Sequence, residues 1–245
     1  MLRVVITVCT FLLLLFVQPK SIHSGCTTIS SYLSDTAYLK GILIGKVAYE
    51  EDDNFVKVSK DFTDREIYLE RQTYHAFKQM HEAALKDSIN LMIVSGTRSF
   101  FHQRDIWEWK WERNRLEGNM EKALDILKYS SMPGTSRHHW GTDIDINSLK
   151  IKYFESGQGL KEFEWLSNNA YKFGFCNVLS DKAETHRTGY EDEYWHWSYL
   201  PVSAYYLKFY QLLVSYNEIA GFEGDDLARD IDVFSNYVHG VNECN

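Results

Sequence analysis

The chain has 245 residues, of which 44% are hydrophobic and 24% charged, a composition typical of soluble globular proteins. That length suits one well-buried domain and is short for two large ones. The formal net charge is −8 and no basic stripe interrupts the acidic surplus. Such a field repels a phosphate backbone, so the composition argues against nucleic acid as a partner.

The first 25 residues predict an export signal and not a part of the fold. Arg3 supplies a positive start, and Val4–Val17 is an almost unbroken apolar run. That run is shorter than a membrane span, which needs about 20 apolar residues, and it is typical of a signal peptide. We therefore expect a signal peptide at 1–25 and a protein exported to the cell envelope. An uncleaved N-terminal anchor is the alternative.

The cysteines raise two further questions. Cys26 follows small residues after the apolar run, as the acylated cysteine of a bacterial lipoprotein does, although His23 stands where that pattern prefers Leu. Lipidation of Cys26 would attach the protein to a membrane. Cys176 and Cys244 either pair as a disulfide in an oxidising compartment or remain thiols, and the sequence leaves both outcomes open.

The predicted elements mix helices and strands without regular alternation, which favours an α+β fold. Residues 27–60 look irregular, apart from a short strand at 55–58. Apolar spacing and turn residues then predict the remaining elements. In chain order they are a helix at 67–84, a strand at 89–94, helices at 103–111 and 121–129, a strand at 143–147, a helix at 160–173, a short element at 193–199, a helix at 201–216 and a helix within the tail 221–245. We expect them to form a single domain over residues 27–245.

Residues 143–147 show the clearest alternation in the chain. The order Asp143-Ile144-Asp145-Ile146-Asn147 has a period of two. In a strand, this order places both aspartates on one face and both isoleucines on the other.

Two polar clusters contain the ligand types of a zinc site. They are SRHHWGTDID at 136–145 and EYWH at 193–196. A catalytic zinc uses three protein ligands and leaves the fourth position to water, so one His and one Asp from the first cluster with His196 would complete a site. Glu193 could then accept the proton of that water.

Spacing alone does not decide which residues of the first cluster would bind the metal. His138 and His139 are adjacent, so they point to opposite faces of an extended segment, and Asp143 and Asp145 share a face. The alternative is that these residues are only structural, with the histidines packed or capping and the aspartates solvated.

Three runs of sequence resemble the VanY-type D-alanyl-D-alanine carboxypeptidase family over roughly residues 65–210. They are SGTRSF at 95–100 with Gln103, Ile106-Trp107 and Lys110-Trp111, then PGTSRHHWGTDID at 133–145, then EYWHWSY at 193–199. The resemblance implies the α+β zinc-peptidase fold, a small antiparallel sheet with flanking helices, that this family shares with lysostaphin-like peptidases and the hedgehog signalling domain.

The resemblance also implies the site. His138, Asp145 and His196 match the ligands of one zinc ion, and Glu193 matches the catalytic base. Arg98 matches the arginine that binds substrate and transition state, and Ser136 matches a serine beside the substrate. Asp143 and His139 then become structural residues, or residues that orient a ligand.

The activity implied is hydrolysis of the terminal D-Ala-D-Ala bond of peptidoglycan stem peptides. An L,D-carboxypeptidase, a D,D-dipeptidase or a peptidoglycan endopeptidase would show the same zinc motifs. The loops around 112–132 and 176–192 would decide among them. A zinc-containing binding protein without catalysis is the alternative of another class. Three tryptophans could wall the cleft or belong to the core: Trp140, Trp195 and Trp197.

Overall fold

Short strands and longer helices alternate irregularly along the computed structural model, which describes residues 35–244. The predicted signal peptide at 1–25 and the predicted lipidation at Cys26 lie outside these residues. Within residues 35–244, no helix has both the length and the apolar character that crossing a membrane requires.

The first half of the described chain carries three strands and four helices. They are α1 (35–43), β1 (Phe55–Lys57), β2 (Tyr68–Glu70), α2 (Arg71–Lys86), β3 (Ile93–Ser95), α3 (Phe100–Arg113) and α4 (Asn119–Ile126). A 3₁₀ helix, Arg137–Trp140, then leads into the fourth strand.

The second half carries the remaining strands and helices. They are β4 (Asp143–Ile146), α5 (Ile151–Phe154), α6 (Gly157–Asn169), β5 (Phe175–Cys176), α7 (Lys182–Thr185), β6 (His196–Tyr199) and α8 (Leu200–Leu213). Short turns of helix complete it at Ala170–Phe173, Tyr216–Glu218, Asp225–Ala228 and Phe234–Val238.

Two small antiparallel sheets organise the strands. β1 pairs with β2, and a four-stranded sheet has the order β3-β4-β6-β5. In that larger sheet Asp145 is the partner of His196, and Asp143 is the partner of Ser198. The register therefore brings the two polar clusters of the sequence side by side. The predicted α+β class, a small antiparallel sheet with flanking helices, is confirmed.

The prediction of a helix over 67–84 was wrong at its start. Residues Tyr68–Glu70 pair with β1, and helix α2 begins only at Arg71. The Glu70 carboxylate ends the strand and caps the helix, because it accepts hydrogen bonds from the backbone N–H groups of Gln72 (2.9 Å) and Thr73 (2.8 Å).

Several other predicted segments also differ from the structure. Residues 35–43 are helical and not irregular; only the last two of them, Ile42 and Leu43, are buried, so the helix carries almost no periodic signal. The strand expected at 89–94 spans only Ile93–Ser95, and the tail contains short turns in place of one long helix. Gly174 does end the helical segment 157–173, with φ 81° in the left-handed region that favours glycine.

Two apolar clusters lie among these elements. Ile144 and Ile146 of β4 belong to one, together with side chains of α2 and α6 such as Phe77, Met80 and Leu166. The other cluster contains Trp107, Trp140 and Tyr210, and the tail adds Ile231, Val233 and Val238 to it. A disulfide between Cys176 and Cys244, with Cα atoms 6.4 Å apart, ties β5 to the tail. The structure thus has the paired form of the two alternatives left open for these cysteines.

Candidate active site

Three side chains from separate segments meet beside the two central strands of the larger sheet. Asp145 lies on β4, His196 lies on the neighbouring β6, and the 3₁₀ helix before β4 presents His138. The Asp145 Oδ1 atom lies 3.4 Å from His138 Nε2 and 3.2 Å from His196 Nδ1. One potential ligand atom of each residue lies within 4.8 Å of the other two, and all three residues are buried. This trio has the donor set of a divalent metal site.

The choice between the adjacent histidines follows from their second ring nitrogens. His138 directs Nδ1 to the Gly96 carbonyl (2.9 Å), so Nε2 is left facing Asp145. His139 uses both nitrogens elsewhere, with Nδ1 2.7 Å from the Arg98 carbonyl and Nε2 accepting from the Gly134 N–H at 3.0 Å. Burial lowers the pKa of His139 to about 3, which keeps the ring neutral and able to accept. Both ring nitrogens of His139 therefore bind backbone groups and not a metal.

Asp143 acts behind His196. Its carboxylate accepts hydrogen bonds from His196 Nε2 (3.0 Å), Arg137 Nε (2.9 Å) and Thr142 Oγ1 (2.7 Å). Arg137 is itself held by Ser198, whose Oγ lies 2.7 Å from Nη2. Burial alone would raise the pKa of Asp143, but the adjacent Arg137 and His196 hold it well below its usual range. The ionised carboxylate therefore fixes the orientation of the His196 ring, with Nδ1 toward Asp145.

The same environment controls the proton on His196. Burial lowers its pKa, but the carboxylates of Asp143 and Asp145 prevail and raise it to about 9. A divalent cation bound by Asp145 and His196 would have to displace the proton from Nδ1. Metal binding at this site should therefore release a proton and weaken as the pH falls.

Glu193 lies beside the trio and is buried with it. Its Oε2 atom is 3.9 Å from His196 Nδ1 and accepts a hydrogen bond of 3.1 Å from Trp195 Nε1. Its backbone is fixed as well, because the N–H donates to the Leu179 carbonyl and the carbonyl accepts from the Asn177 amide. Burial raises the pKa of Glu193 to about 7, the range that suits a general base.

Arg98 and Ser136 contribute polar atoms with no partner among residues 35–244. The Arg98 Nε and Ser136 Oγ atoms are buried without a hydrogen bond, and both residues line the same cavity as the trio. Buried polar atoms are costly to leave unsatisfied. Because both residues line this cavity, they are candidates to bind its occupant.

The cavity has a volume of about 510 Å³, within the range of small-molecule sites. It is lined by every predicted site residue: Arg98, Ser136, His138, Asp145, Glu193 and His196. Several other lining residues were not predicted as site residues, and they come largely from the loops around 112–132 and 176–192: Lys110, Tyr129, Ser130, Ser131, Leu179 and Tyr190. None of them belongs to a ligand-type cluster. Lys110 falls within the first run that resembles the VanY family, and proximity in space identifies the others.

The three tryptophans whose position in cleft or core the sequence left open occupy different environments in the structure. Trp195 lines the cavity and donates to Glu193. Trp140 and Trp197 are instead buried in the two apolar clusters.

Comparison with known families assigns the chain to one of them. The family model described as VanY, D-alanyl-D-alanine carboxypeptidase, matches residues 66–202, more than half of the chain. The chain belongs to the VanY family. The prediction from the three sequence runs is thereby confirmed, and the matched region of this VanY family member contains all of its predicted site residues.

Curated relatives cover a similar part of the chain. YodJ of Bacillus subtilis is 33% identical over 135 residues, which are 54% of this chain and 46% of YodJ. A D-alanyl-D-alanine carboxypeptidase of Enterococcus faecalis is 29% identical over 130 residues, 52% of this chain and 46% of that protein. This VanY family member thus matches about half the length of these relatives.

Solved structures support the fold of this VanY family member. A structure of VanYB in complex with D-alanine-D-alanine has a TM-score of 0.51 at 23% identity, covering 67% of this chain and 86% of that chain. A VanY D,D-pentapeptidase mutant in complex with Zn(II) has a TM-score of 0.50 at 23% identity, covering 71% and 93%. The predicted D-Ala-D-Ala peptidase-like fold is confirmed.

Proposed function

We propose that this protein is a zinc-dependent D,D-carboxypeptidase that removes the terminal D-Ala of peptidoglycan stem peptides. The observation that carries the proposal is the buried trio His138, Asp145 and His196, whose ligand atoms lie within 4.8 Å of one another on the wall of a cavity that also contains Glu193. Membership of the VanY family supports the choice of bond.

The donor chemistry of the trio fits zinc. Two imidazole nitrogens and one carboxylate oxygen form a common protein ligand set for a catalytic zinc. Each imidazole is oriented by its second nitrogen, His138 through the Gly96 carbonyl and His196 through Asp143. Metal-binding histidines are usually held in this way. His138 Nε2, His196 Nδ1 and an Asp145 oxygen would hold the ion.

Zinc held there would polarise the scissile carbonyl and lower the pKa of water at the site. The Glu193 carboxylate removes a proton from the attacking water while the water oxygen bonds to the carbonyl carbon. When the C–N bond breaks, Glu193 passes that proton to the nitrogen of the departing D-Ala. The Arg98 guanidinium lines the same cavity and has an unpartnered Nε, so it can stabilise the negative oxygen or grip the terminal carboxylate.

The extent and location of the active protein are part of the proposal. We place the catalytic domain at residues 27–245, because tail residues such as Ile231 and Val238 share an apolar cluster with Trp107 and Trp140. The apolar run at residues 4–17 supports export to the cell envelope, and Cys26 would be the attachment site if it is lipidated. A peptidoglycan substrate is consistent with that location.

The test is a peptide assay with and without a chelator. Purified protein is incubated with stem peptides ending in D-Ala-D-Ala, and the products are identified by mass spectrometry. We expect loss of one D-Ala, inhibition by the chelator and recovery on addition of zinc. Release of the intact dipeptide, loss of D-Ala only from a tetrapeptide, or cleavage of cross-linked dimers alone would assign another specificity to the same site.

Glu193→Gln isolates the base from the metal site. Removing a general base costs about 10²–10⁴-fold in rate, so turnover should fall by that factor while zinc stays bound. Glu191→Gln is the matched control, because Glu191 is on the same loop, pairs with Lys182 and is 43% exposed. If Glu193→Gln retains full turnover, Glu193 is not the base. If no peptide is cleaved although zinc is bound, the catalytic proposal fails.

A further inference from the structure

Lys110 is a cation of the cavity that the proposed mechanism does not use. It lies on α3, is half-buried and lines the same cavity as Arg98 and Glu193. Its ammonium group makes no hydrogen bond or ion pair with any side chain or carbonyl of residues 35–244. Within that part of the chain, the Glu193 carboxylate acts on Lys110 through its charge but forms no ion pair with it.

Most of the other charged side chains at the cavity pair with one another. Arg137 donates to Asp143, and Asp145 lies against His138 and His196. Among the cavity-lining side chains, Arg98 and Lys110 are the two cations without an ion pair.

Glu193 is the single lining carboxylate outside the trio, so the unpaired cations Arg98 and Lys110 outnumber it. The cavity thus has an excess of positive charge within a chain whose net charge is −8.

Keeping such a lysine half-buried has an energetic cost. Burial disfavours the charged ammonium and lowers the pKa of Lys110, with Glu193 opposing the shift and Arg98 adding to it. A lysine can reduce that cost by extending its ammonium group into water. Its charge then binds nothing in the cavity, and only its aliphatic stem packs against the protein. An anion in the cavity would offset the cost directly.

The position of Lys110 indicates where that anion would lie. A second, more open groove of about 290 Å³ adjoins the cavity, and Lys110 and Tyr129 line both. Trp109 and Asn114 lie along this groove. A peptide bound at the trio and extending into the groove would therefore pass Lys110.

We propose that Lys110 binds a carboxylate of the peptide substrate and thereby gives the cavity, beside Arg98, a second anion-binding group. This inference rests on the proposed function, which identifies the ligand as a peptide. Two sources share this chemistry: the C-terminal carboxylate and a side-chain carboxylate further along the peptide. Hydrogen bonds to charged groups contribute about 1.5–3 kcal/mol, so the pair should be worth roughly tenfold to hundredfold in affinity.

The test measures equilibrium binding and not turnover. Peptides are titrated by calorimetry into zinc-loaded Glu193→Gln protein, in which cleavage is suppressed. One pair of peptides differs only at the C-terminus, carboxylate against carboxamide. A second pair keeps the C-terminal carboxylate and differs only in one acidic side chain and its carboxamide. The measured quantity is the ratio of affinities within each pair.

Three further substitutions are made in that background. Lys110→Met removes the charge and keeps the length of the stem, Lys110→Arg keeps the charge, and Lys208→Met removes a positive charge from an exposed position on α8. Lys110→Met should reduce the preference for the acid in one pair by that tenfold to hundredfold and leave the affinity for its carboxamide partner unchanged. Lys110→Arg should retain most of the preference, and Lys208→Met all of it. The pair that responds identifies the source of the carboxylate.

Other outcomes contradict the inference. If Lys110→Met weakens acid and carboxamide equally in both pairs, Lys110 is a structural residue with its ammonium in water. If neither acid binds more tightly than its carboxamide before Lys110 is changed, the lysine does not recognise a carboxylate. The proposed function is judged separately, because protein with Glu193 intact can bind the acids through Lys110 and still cleave none of them.

Discussion

The two faces of strand β4 are equally buried but are stabilised in different ways. Ile144 and Ile146 on one face are 0% exposed, and Asp143 and Asp145 on the other are 0% and 3% exposed. The isoleucines need only neighbours of suitable shape, which α2 and α6 supply. The aspartates need specific donors, because an unpaired buried carboxylate is costly.

The aspartates find those donors on neighbouring segments of the fold. Asp143 is met by Arg137, and His196 reaches both aspartates from β6. A defect on the apolar face should therefore reduce stability and leave the metal site intact. A defect on the polar face should impair the site more than the fold. One substitution on each face, and a third away from both, test that distinction.

Ile144→Ala tests the apolar face. Removing a fully buried isoleucine side chain down to Cβ should lower the free energy of unfolding by about 2–5 kcal/mol, because the transfer energy is lost and a cavity remains. Urea unfolding measures the change. Leu212→Ala, at a position 74% exposed on α8, is the control and should stay within about 0.5 kcal/mol. Zinc stoichiometry should not change in either variant; a loss of zinc from folded Ile144→Ala protein would show that the two faces are coupled.

Asp143→Asn tests the polar face. The amide is nearly isosteric but loses the charge that pairs with Arg137 and orients His196. Residues in this supporting position typically change metal affinity by about 10–100-fold, so zinc should bind that much more weakly. Competition with a chelator of known affinity measures it. Asp105→Asn, at an exposed aspartate on α3, serves as the matched control. Unchanged zinc affinity in Asp143→Asn would mean that neighbouring groups orient His196 without Asp143.

Glu218→Gln acts away from both faces. Burial would raise the pKa of Glu218, but its hydrogen bonds with Lys40 and Ser215 lower it from 4.5 to about 2. A carboxyl whose pKa is lower in the folded protein stabilises the fold above its unfolded pKa. That stability is lost as the pH falls from about 4.5 to about 2.

The expected contribution of Glu218 is only about 1 kcal/mol, since the ion pair with Lys40 is partly exposed. Unfolding of the parent and Glu218→Gln proteins should therefore differ at pH 7 and converge as the pH falls to about 2. An equal difference at both pH values would show that protonation of Glu218 is not responsible. Zinc affinity at pH 7 should be unaffected.

Much of the polar face of β4 could be predicted from the sequence. The alternation of Asp and Ile over 143–146 is local, and the strand has the faces that its period requires. The family motif also selected six side chains that the structure places around one cavity. The alternation could be predicted because it is local in the chain, and the six side chains were selected because the resemblance to the VanY family covers them.

Other features depended on contacts between distant segments. His138 rather than His139 faces Asp145 because the Gly96 carbonyl, 42 positions earlier in the chain, accepts the bond from Nδ1. Strand β2 formed from a segment with helical spacing because β1 pairs with it. The disulfide of Cys176 joins residues 68 positions apart.

Lys110 and the loop residues Tyr129 and Tyr190 became part of the site only through packing. The family, the alternating strand and the residue types of the metal site could be predicted from the sequence. Which atoms face one another depended on the packing of the whole domain, because burial and hydrogen-bond satisfaction act between segments whose separation along the chain carries no local signal.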